Sequence, residues 1–155
     1  MSTDNDEQRS TERERIVEAV ASWPDITTGD GRFGSTSFQL AGREIGHLHP
    51  RLADIDYPKP LRDQLLADGK TEEHHAVPEH PTATTFHIES VDDVDQTVWL
   101  FRLSYLVHLA ILQKRNEAAK RSDIDVRKEV NELEPTDSIR SAFEAAVADG
   151  FGSHG

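Results

Sequence analysis

The stretch Arg43-Glu44-Ile45-Gly46-His47-Leu48-His49-Pro50 decides how this chain is read. In an extended strand, successive side chains point to opposite faces, so His47 and His49 share a face while Leu48 points the other way. Two imidazoles about 7 Å apart on a stiff strand can hold a metal, a polar ligand or a substrate proton. Arg43 and Ile45 have the same parity, which predicts a cationic, basic face. Gly46 leaves room for a close approach to the backbone, and Pro50 ends the ladder.

Working outward, Phe33 to Leu40 reads as the partner strand, joined through Ala41-Gly42 in a hairpin, with Gly29-Asp30-Gly31 as a turn before it. Ala53 to Asp56 is a further short strand. Pro60 to Leu66 forms a short helix closed by Gly69. Thr71 to Val77 and Thr82 to Ile88 supply two more strands across a loop containing Pro78 and Pro81. Ser90-Val91-Asp92-Asp93 opens the longest helix with an S-x-x-D cap. On it Val91, Val94, Val98, Phe101, Tyr105, His108 and Leu112 form one stripe, and Leu100, Leu103, Val107 and Ala110 extend the apolar surface almost all round. Such a helix is buried by the sheet on one side and by another helix, or a second subunit in a homodimer, on the other.

Helices flank this centre. Thr11 to Glu14 has the T-x-x-E form of a capping box, followed by Ile16, Val17, Val20 and Trp23 at helical spacing up to Pro24. Past a charged connector, Ile124, Val126, Val130 and Leu133 make a weaker helix. Thr136 or Asp137 caps a last one, over Ile139, Ala142, Phe143, Ala146 and Val147, ended by Gly150. The fold expected is α+β: an antiparallel sheet of four to five strands packed by one long central helix, with flanking N- and C-terminal helices. Residues 1–10 and 151–155 read as disordered tails, 11–120 as the domain and 121–150 as a helical extension.

Composition narrows the chemistry. Among 155 residues there is no cysteine, which excludes disulfides, thiolate catalysis and cysteine-held zinc or iron–sulfur clusters. With 29 acids against 17 bases the net charge is −12, so nucleic acid and anionic membranes are not expected partners. An acid-rich, lysine-poor surface suits solubility in concentrated salt, and thus a halophilic host. The polar N-terminus has no apolar core of a secretory signal, and the longest apolar run, Val98 to Leu112, is broken by Arg102 and His108. A cytoplasmic protein is the expectation.

Most histidines lie on the predicted strands or their loops: His47, His49, His74, His75, His80 and His87. In a strand His74 and His75 point oppositely, so one of them at most would join a shared site. A metal centre could be assembled from His47, His49, one of His74 or His75, and Asp54 or Asp56. Metal-free chemistry would use an imidazole as general base and Arg43 or Arg102 to hold an anion. Tyr105 and His108, three apart on the central helix, read as core residues. The glycine-rich Gly29 to Gly34 leads into a strand rather than a helix, so phosphate binding is unsupported.

Ser22-Trp23-Pro24, Arg32-Phe33-Gly34 with Phe38, the Arg43 to His49 core, Ala53-Asp54-Ile55, Leu61-Arg62-Asp63, Gly69 followed by His74, and Arg102-Leu103-Ser104-Tyr105 together resemble the luciferase-like domain family, named for the luciferase of bioluminescent fungi. The resemblance covers about residues 14 to 112. Its most specific part is Arg-Glu-Ile-x-His-x-His with the later Gly-x4-His. It implies oxygenation of a hydroxylated pyranone by O2 with loss of CO2, without a required metal or organic cofactor. It also implies a site of His47, His49 and His74 with Arg43 and Tyr105 in support. The chain departs from fungal members in lacking their N-terminal membrane segment, and in having Leu52 and Tyr57 where they carry further histidines.

The expected function is therefore a small-molecule oxygenase acting on an enolisable substrate. In it His47 or His49 removes a proton, Arg43 stabilises the anion, and His74 positions substrate or O2. No cofactor is expected; a divalent metal on His47, His49, His74 and Asp54 is the alternative. A non-catalytic ligand- or metal-binding module, or a structural dimer, are the other readings.

Overall fold

The computed structural model describes residues 2–31, 34–115 and 123–150, with side chains from Thr11 onward. Helix α1 spans Ser2–Ala21. It therefore runs through the stretch expected as a tail, where neither glycine nor proline interrupts the chain before Pro24. The other tail, 151–155, and the connector 116–122 lie outside the described residues. Ile16 and Val20 of α1 are fully buried, and the helix ends where the Ser22 hydroxyl donates to Ala19 O at 2.6 Å.

Six strands follow in one antiparallel sheet of order β1-β2-β3-β4-β6-β5. They are β1 (Ile26–Asp30), β2 (Thr36–Leu40), β3 (Arg43–Leu48), β4 (Leu52–Asp56), β5 (Glu72–Glu73) and β6 (Ala83–His87). The α+β class and the hairpin hold, with one strand more than expected. The addition is β1: Gly29 and Asp30, read as a turn, close a strand because they pair with Ser37 and Thr36. The β2–β3 hairpin turns on Ala41 (φ 53°) and Gly42 (φ 81°), the two positive φ values that a two-residue connection needs. Conversely the strand expected over Thr71 to Val77 shrinks to two residues.

Between β4 and β5 lies α2 (Lys59–Ala67), with Pro60 in its first turn and Gly69 in the left-handed region just past its end. After β6 comes α3 (Asp93–Lys114), then α4 (Val126–Glu132) and α5 (Asp137–Asp149). Asp93 anchors the start of α3 by accepting from the backbone N–H of Ser90 at 3.1 Å. The Thr136 hydroxyl caps α5 by accepting from Ile139 N.

Helix α3 meets the sheet at Gly46. A Cβ there would stand 2.8 Å from Phe101 Cε1 and 2.8 Å from Asp54 O. The close approach that Gly46 permits is thus by the protein's own core, and Phe101 lies edge-on to Phe38 with centroids 5.2 Å apart. Its other sides are also met within the chain. Tyr105 donates to Pro24 O at 3.0 Å beyond α1, Trp99 to Leu133 O at 2.9 Å, and Arg102 pairs with Glu129 of α4 at 2.8 Å. The apolar girth of α3 is thus met on several sides by other elements of the chain. Among the described residues no helix is long and apolar enough to cross a membrane.

Candidate metal centre

The parity of β3 is not regular, and this shapes the site. Phe38 pairs with Gly46 but Gln39 pairs with Glu44, so Ile45 is an extra residue, a β-bulge. Ile45, Gly46 and Leu48 all face the core, while Glu44 and His47 both face outward. The Ser104 hydroxyl of α3 lies 3.0 Å from Ile45 O and 2.6 Å from Asp56 O, clamping the bulge to the end of β4. Because of the bulge, Glu44 rather than Arg43 shares a face with His47. The expected cationic face is built around carboxylates instead.

Register does the rest. His47 stands directly across from Asp54, and Asp54 from Thr85, in a row over β3, β4 and β6. Cross-strand neighbours on one face come within side-chain reach. The Thr85 hydroxyl donates to Asp54 Oδ1 at 2.6 Å. His47 Nε2 lies 3.1 Å from Asp54 Oδ2, and His49 Nε2, two residues on, 3.3 Å from the same oxygen. Asp54 is 3% exposed, roofed by these rings. His47 is itself fixed from behind: its Nδ1–H donates to Glu44 Oε2 at 2.9 Å.

Two more imidazoles arrive from the loop after β5. Because that strand stops at Glu73, His74 and His75 are free of strand alternation and both turn to Asp54, His75 Nε2 at 3.2 Å and His74 Nε2 at 3.7 Å from Oδ2. Their roles differ. His74 Nδ1 accepts the backbone N–H groups of Ala76 (3.2 Å) and Val77 (3.0 Å), so its proton resides on Nε2, which faces the carboxylate as a donor. A ring in that tautomer has no lone pair to offer a metal at Nε2. His80 is used in the same way, with Nδ1 accepting from Thr82 N and Ala83 N, and His87 pairs with Glu72 at 2.6 Å.

Charge follows the partners. Hydrogen bonds to Asp54 and then Glu44 push His47 up to about 10 against the cost of its burial. Burial pushes His49 down, reinforced by charge on His47, and burial likewise lowers His74 against the pull of Asp54. Burial alone would raise Asp54, but hydrogen bonds from His47 and Thr85 and the nearby His75 outweigh it and hold the carboxyl well below its usual range.

This arrangement has ligand spacing. Donor atoms about 2.1 Å from an ion at tetrahedral angles lie roughly 3.4 Å apart, and octahedral neighbours about 3.0 Å. The donors of His47, His49 and Asp54 lie within 4.8 Å of one another, and those of Asp54, His74 and His75 do likewise. Either group could hold a metal by distance; the tautomer of His74 favours the first. Four ring nitrogens also oversubscribe one carboxylate oxygen, which has about two lone-pair directions. They border a cavity of about 390 Å³ with Gly31, Ser35 and Ser37 on its rim.

Residues 42–104 match the family model described as the Luciferase domain. Over that stretch the chain is similar to the Luciferase domain family. Neither the curated proteins nor the solved structures give a match. The matched segment starts on the hairpin glycine Gly42 and ends at Ser104, the residue that clamps the bulge. It contains every imidazole and carboxylate of the cluster.

Of the residues expected at the site, His47, His49, His74 and Asp54 come together. Arg43 does not line the histidine cavity; it borders a neighbouring one with Asp56 and His108. Arg102 packs over the rings of Trp23 and Tyr105 at 5.0 and 5.1 Å, and Tyr105 is fully buried beneath it. Sequence reading missed Glu44 and Thr85 as members, and it admitted only one of His74 and His75 where both turn to Asp54. Glu44 was discernible only through the i, i+3 spacing to His47 that a bulge creates.

Proposed function

We propose that the luciferase-like domain is a small-molecule oxygenase in which His47, His49 and Asp54 hold a divalent transition metal and an enolisable substrate occupies the adjoining cavity. The observation that carries this reading is the two-histidine, one-carboxylate set, with both ring nitrogens 3.1 to 3.3 Å from Asp54 Oδ2. Such a facial set leaves coordination positions open and suits oxygen-dependent iron chemistry. A bound ion would supply Lewis acidity and a place for O2.

The chain's own residues do the remainder. Glu44 orients His47 from its Nδ1–H, the outer-sphere contact that holds a metal-binding ring in its tautomer. Thr85 fixes the other oxygen of Asp54. His75, with Nε2 turned to Asp54, keeps Nδ1 as the acceptor for the proton an enolisable substrate must lose, much as a carboxylate-backed imidazole serves elsewhere.

Elemental analysis of the purified full chain, followed by oxygen uptake on a panel of hydroxypyranones and other enolisable acids, tests this. The expected result is one equivalent of metal, with uptake abolished by chelation and by His47→Ala or His49→Ala. Turnover unaffected by chelation would move the chemistry to a metal-free base. Wild-type metal content in both alanine variants would remove the assignment.

A further inference from the structure

The histidine cavity has a second wall to which the oxygenase reading gives no task. Gly29 of β1 pairs with Ser37 of β2, and Ser37 with His47 of β3, so all three share the outer face of the sheet. Just beyond the strand ends, Gly31 N donates to Ser35 O at 2.8 Å. Gly31, Ser35 and Ser37 border the cavity of about 390 Å³ together with the imidazoles. A Cβ on Gly29 would stand 3.1 Å from Ser37 Oγ, and one on Gly31 would collide with Ser35 Oγ. Beside the imidazoles the sheet therefore presents two glycines and two serines, a surface low enough for a flat ring to lie on.

Ser35 marks this surface as a place for a ligand. It is 5% exposed and borders the cavity, and among the described residues its hydroxyl has no hydrogen-bond partner. The neighbouring Ser37 hydroxyl, by contrast, donates to Gly29 O at 3.3 Å. Ser35 is also held in place from both sides along the chain, because Arg13 donates to Gly34 O at 2.7 Å and to Thr36 Oγ1 at 2.9 Å. A buried hydroxyl left unpaired destabilises a fold, so a firmly held one at the edge of a cavity implies a partner brought by the occupant. The volume lies near the lower end for small-molecule sites, so that occupant is small.

We propose that Ser35 determines specificity in this cavity: its hydroxyl hydrogen-bonds an oxygen on the far edge of a small flat ring that lies over Gly31 and meets the ion through its near edge. The proposal deepens the oxygenase reading and rests on it for the ion. The substrate is then a ring with oxygen at both ends rather than an open-chain acid. Titration calorimetry of the full chain under nitrogen, with and without cobalt(II), tests this with two catechols. The pair, 3,4-dihydroxybenzyl alcohol and 4-methylcatechol, are flat chelating rings that differ by one hydroxyl remote from the chelating edge.

The alcohol is expected to bind about fivefold or more tightly than 4-methylcatechol, and Ser35→Ala to abolish that difference. Gly31→Ala, which raises the surface under the ring, should weaken both catechols about tenfold. Near-ultraviolet circular dichroism checks that each variant is folded; should Gly31→Ala fail to fold, Ser35→Ala carries the test. Equal binding of the two catechols by the wild type, a difference that persists in Ser35→Ala, or no binding of either up to about 10 mM would each overturn the proposal. Cobalt uptake separates this failure from that of the oxygenase reading. If cobalt is not taken up and the alcohol is still preferred through Ser35, the metal reading falls and the Ser35 assignment stands. If cobalt is taken up and the catechols bind alike, the Ser35 assignment falls and the metal reading stands.

Discussion

His47 on β3 and His108 on α3 are two imidazoles held in opposite states. His47 lies on the outer face with carboxylates at 2.9 and 3.1 Å, and these push it up to about 10. His108 lies beneath on α3, where burial and then the charge of Arg43 outweigh its bond to Ser104 and push it down to about 4. For His47 the hydrogen-bonded carboxylates decide the direction, whereas for His108 burial overrides the bond to Ser104, and the partner in each case is set by register. For His47 that register is the row from β3 to β4 to β6. For His108 it is an i−4 backbone carbonyl on its own helix.

The hub of the outer cluster offers the sharpest test of that contrast. Asp54→Ala removes the oxygen on which the imidazoles converge, and metal affinity is expected to fall about a thousandfold. Glu44→Gln, which touches His47 only at Nδ1, away from the ion, should cost about 10- to 100-fold. Competition titration of zinc or cobalt against a chelator measures both. Equal losses would mean that Glu44 is itself a ligand and the assigned set is wrong; no loss in Asp54→Ala would mean that Asp54 is only a structural acceptor.

His108 supplies the next effect. Its folded-state value of about 4 lies below the ordinary imidazole value of 6.5, so between these pH values the unfolded chain binds the proton and the folded chain resists it. Stability from this group is therefore full above pH 6.5 and lost as pH falls to 4, by about 3 kcal/mol. Facing His108 are Arg43 from β3, which deepens the effect, and the Glu44 and Asp56 carboxylates that border the same cavity. Urea unfolding of wild type and His108→Gln across this range should show the wild-type curve falling more steeply. Parallel curves would place His108 in an environment where its charge is tolerated.

How much of this was legible in the sequence follows the same physics. The helices were visible because their periodicity and end signals are local: Gly69, Thr136 and Gly150 mark boundaries wherever the elements pack. The hairpin was visible through Ala41-Gly42. The convergence of His47, His49 and His74 could be anticipated, since a pair on one strand and a third ring nearby need only approximate placement. The face shared by Arg43 could not, because a bulge at Ile45 depends on pairing with Phe38 and Gln39 and has no composition of its own. His75 was admitted only as an alternative to His74, on the premise of a strand that β5 is too short to provide. Asp54 as hub and Thr85 as its support depend on inter-strand register, which a strand's own sequence does not state.

Gly46 lies where the two environments meet, and its substitution should give the smallest effect and separate fold from site. Gly46→Ala would press a methyl group to 2.8 Å from both Asp54 O and Phe101 Cε1. The carbonyl is backbone within the β3–β4 ladder and the ring is pinned on Phe38, so neither yields freely. The expected cost is roughly 1–3 kcal/mol in urea unfolding, the range of a modest overpacking. The row of His47, Asp54 and Thr85 side chains lies on the opposite face, so metal affinity should change only a few-fold. Phe101→Leu in the same chain removes one of the two clashes and should recover part of the loss, which a double-mutant cycle reads directly. Full additivity of the two substitutions would show that the ring does not press on the strand. A metal-affinity loss as large as that of Asp54→Ala would show that the cluster is held by the core contact rather than by its own hydrogen bonds.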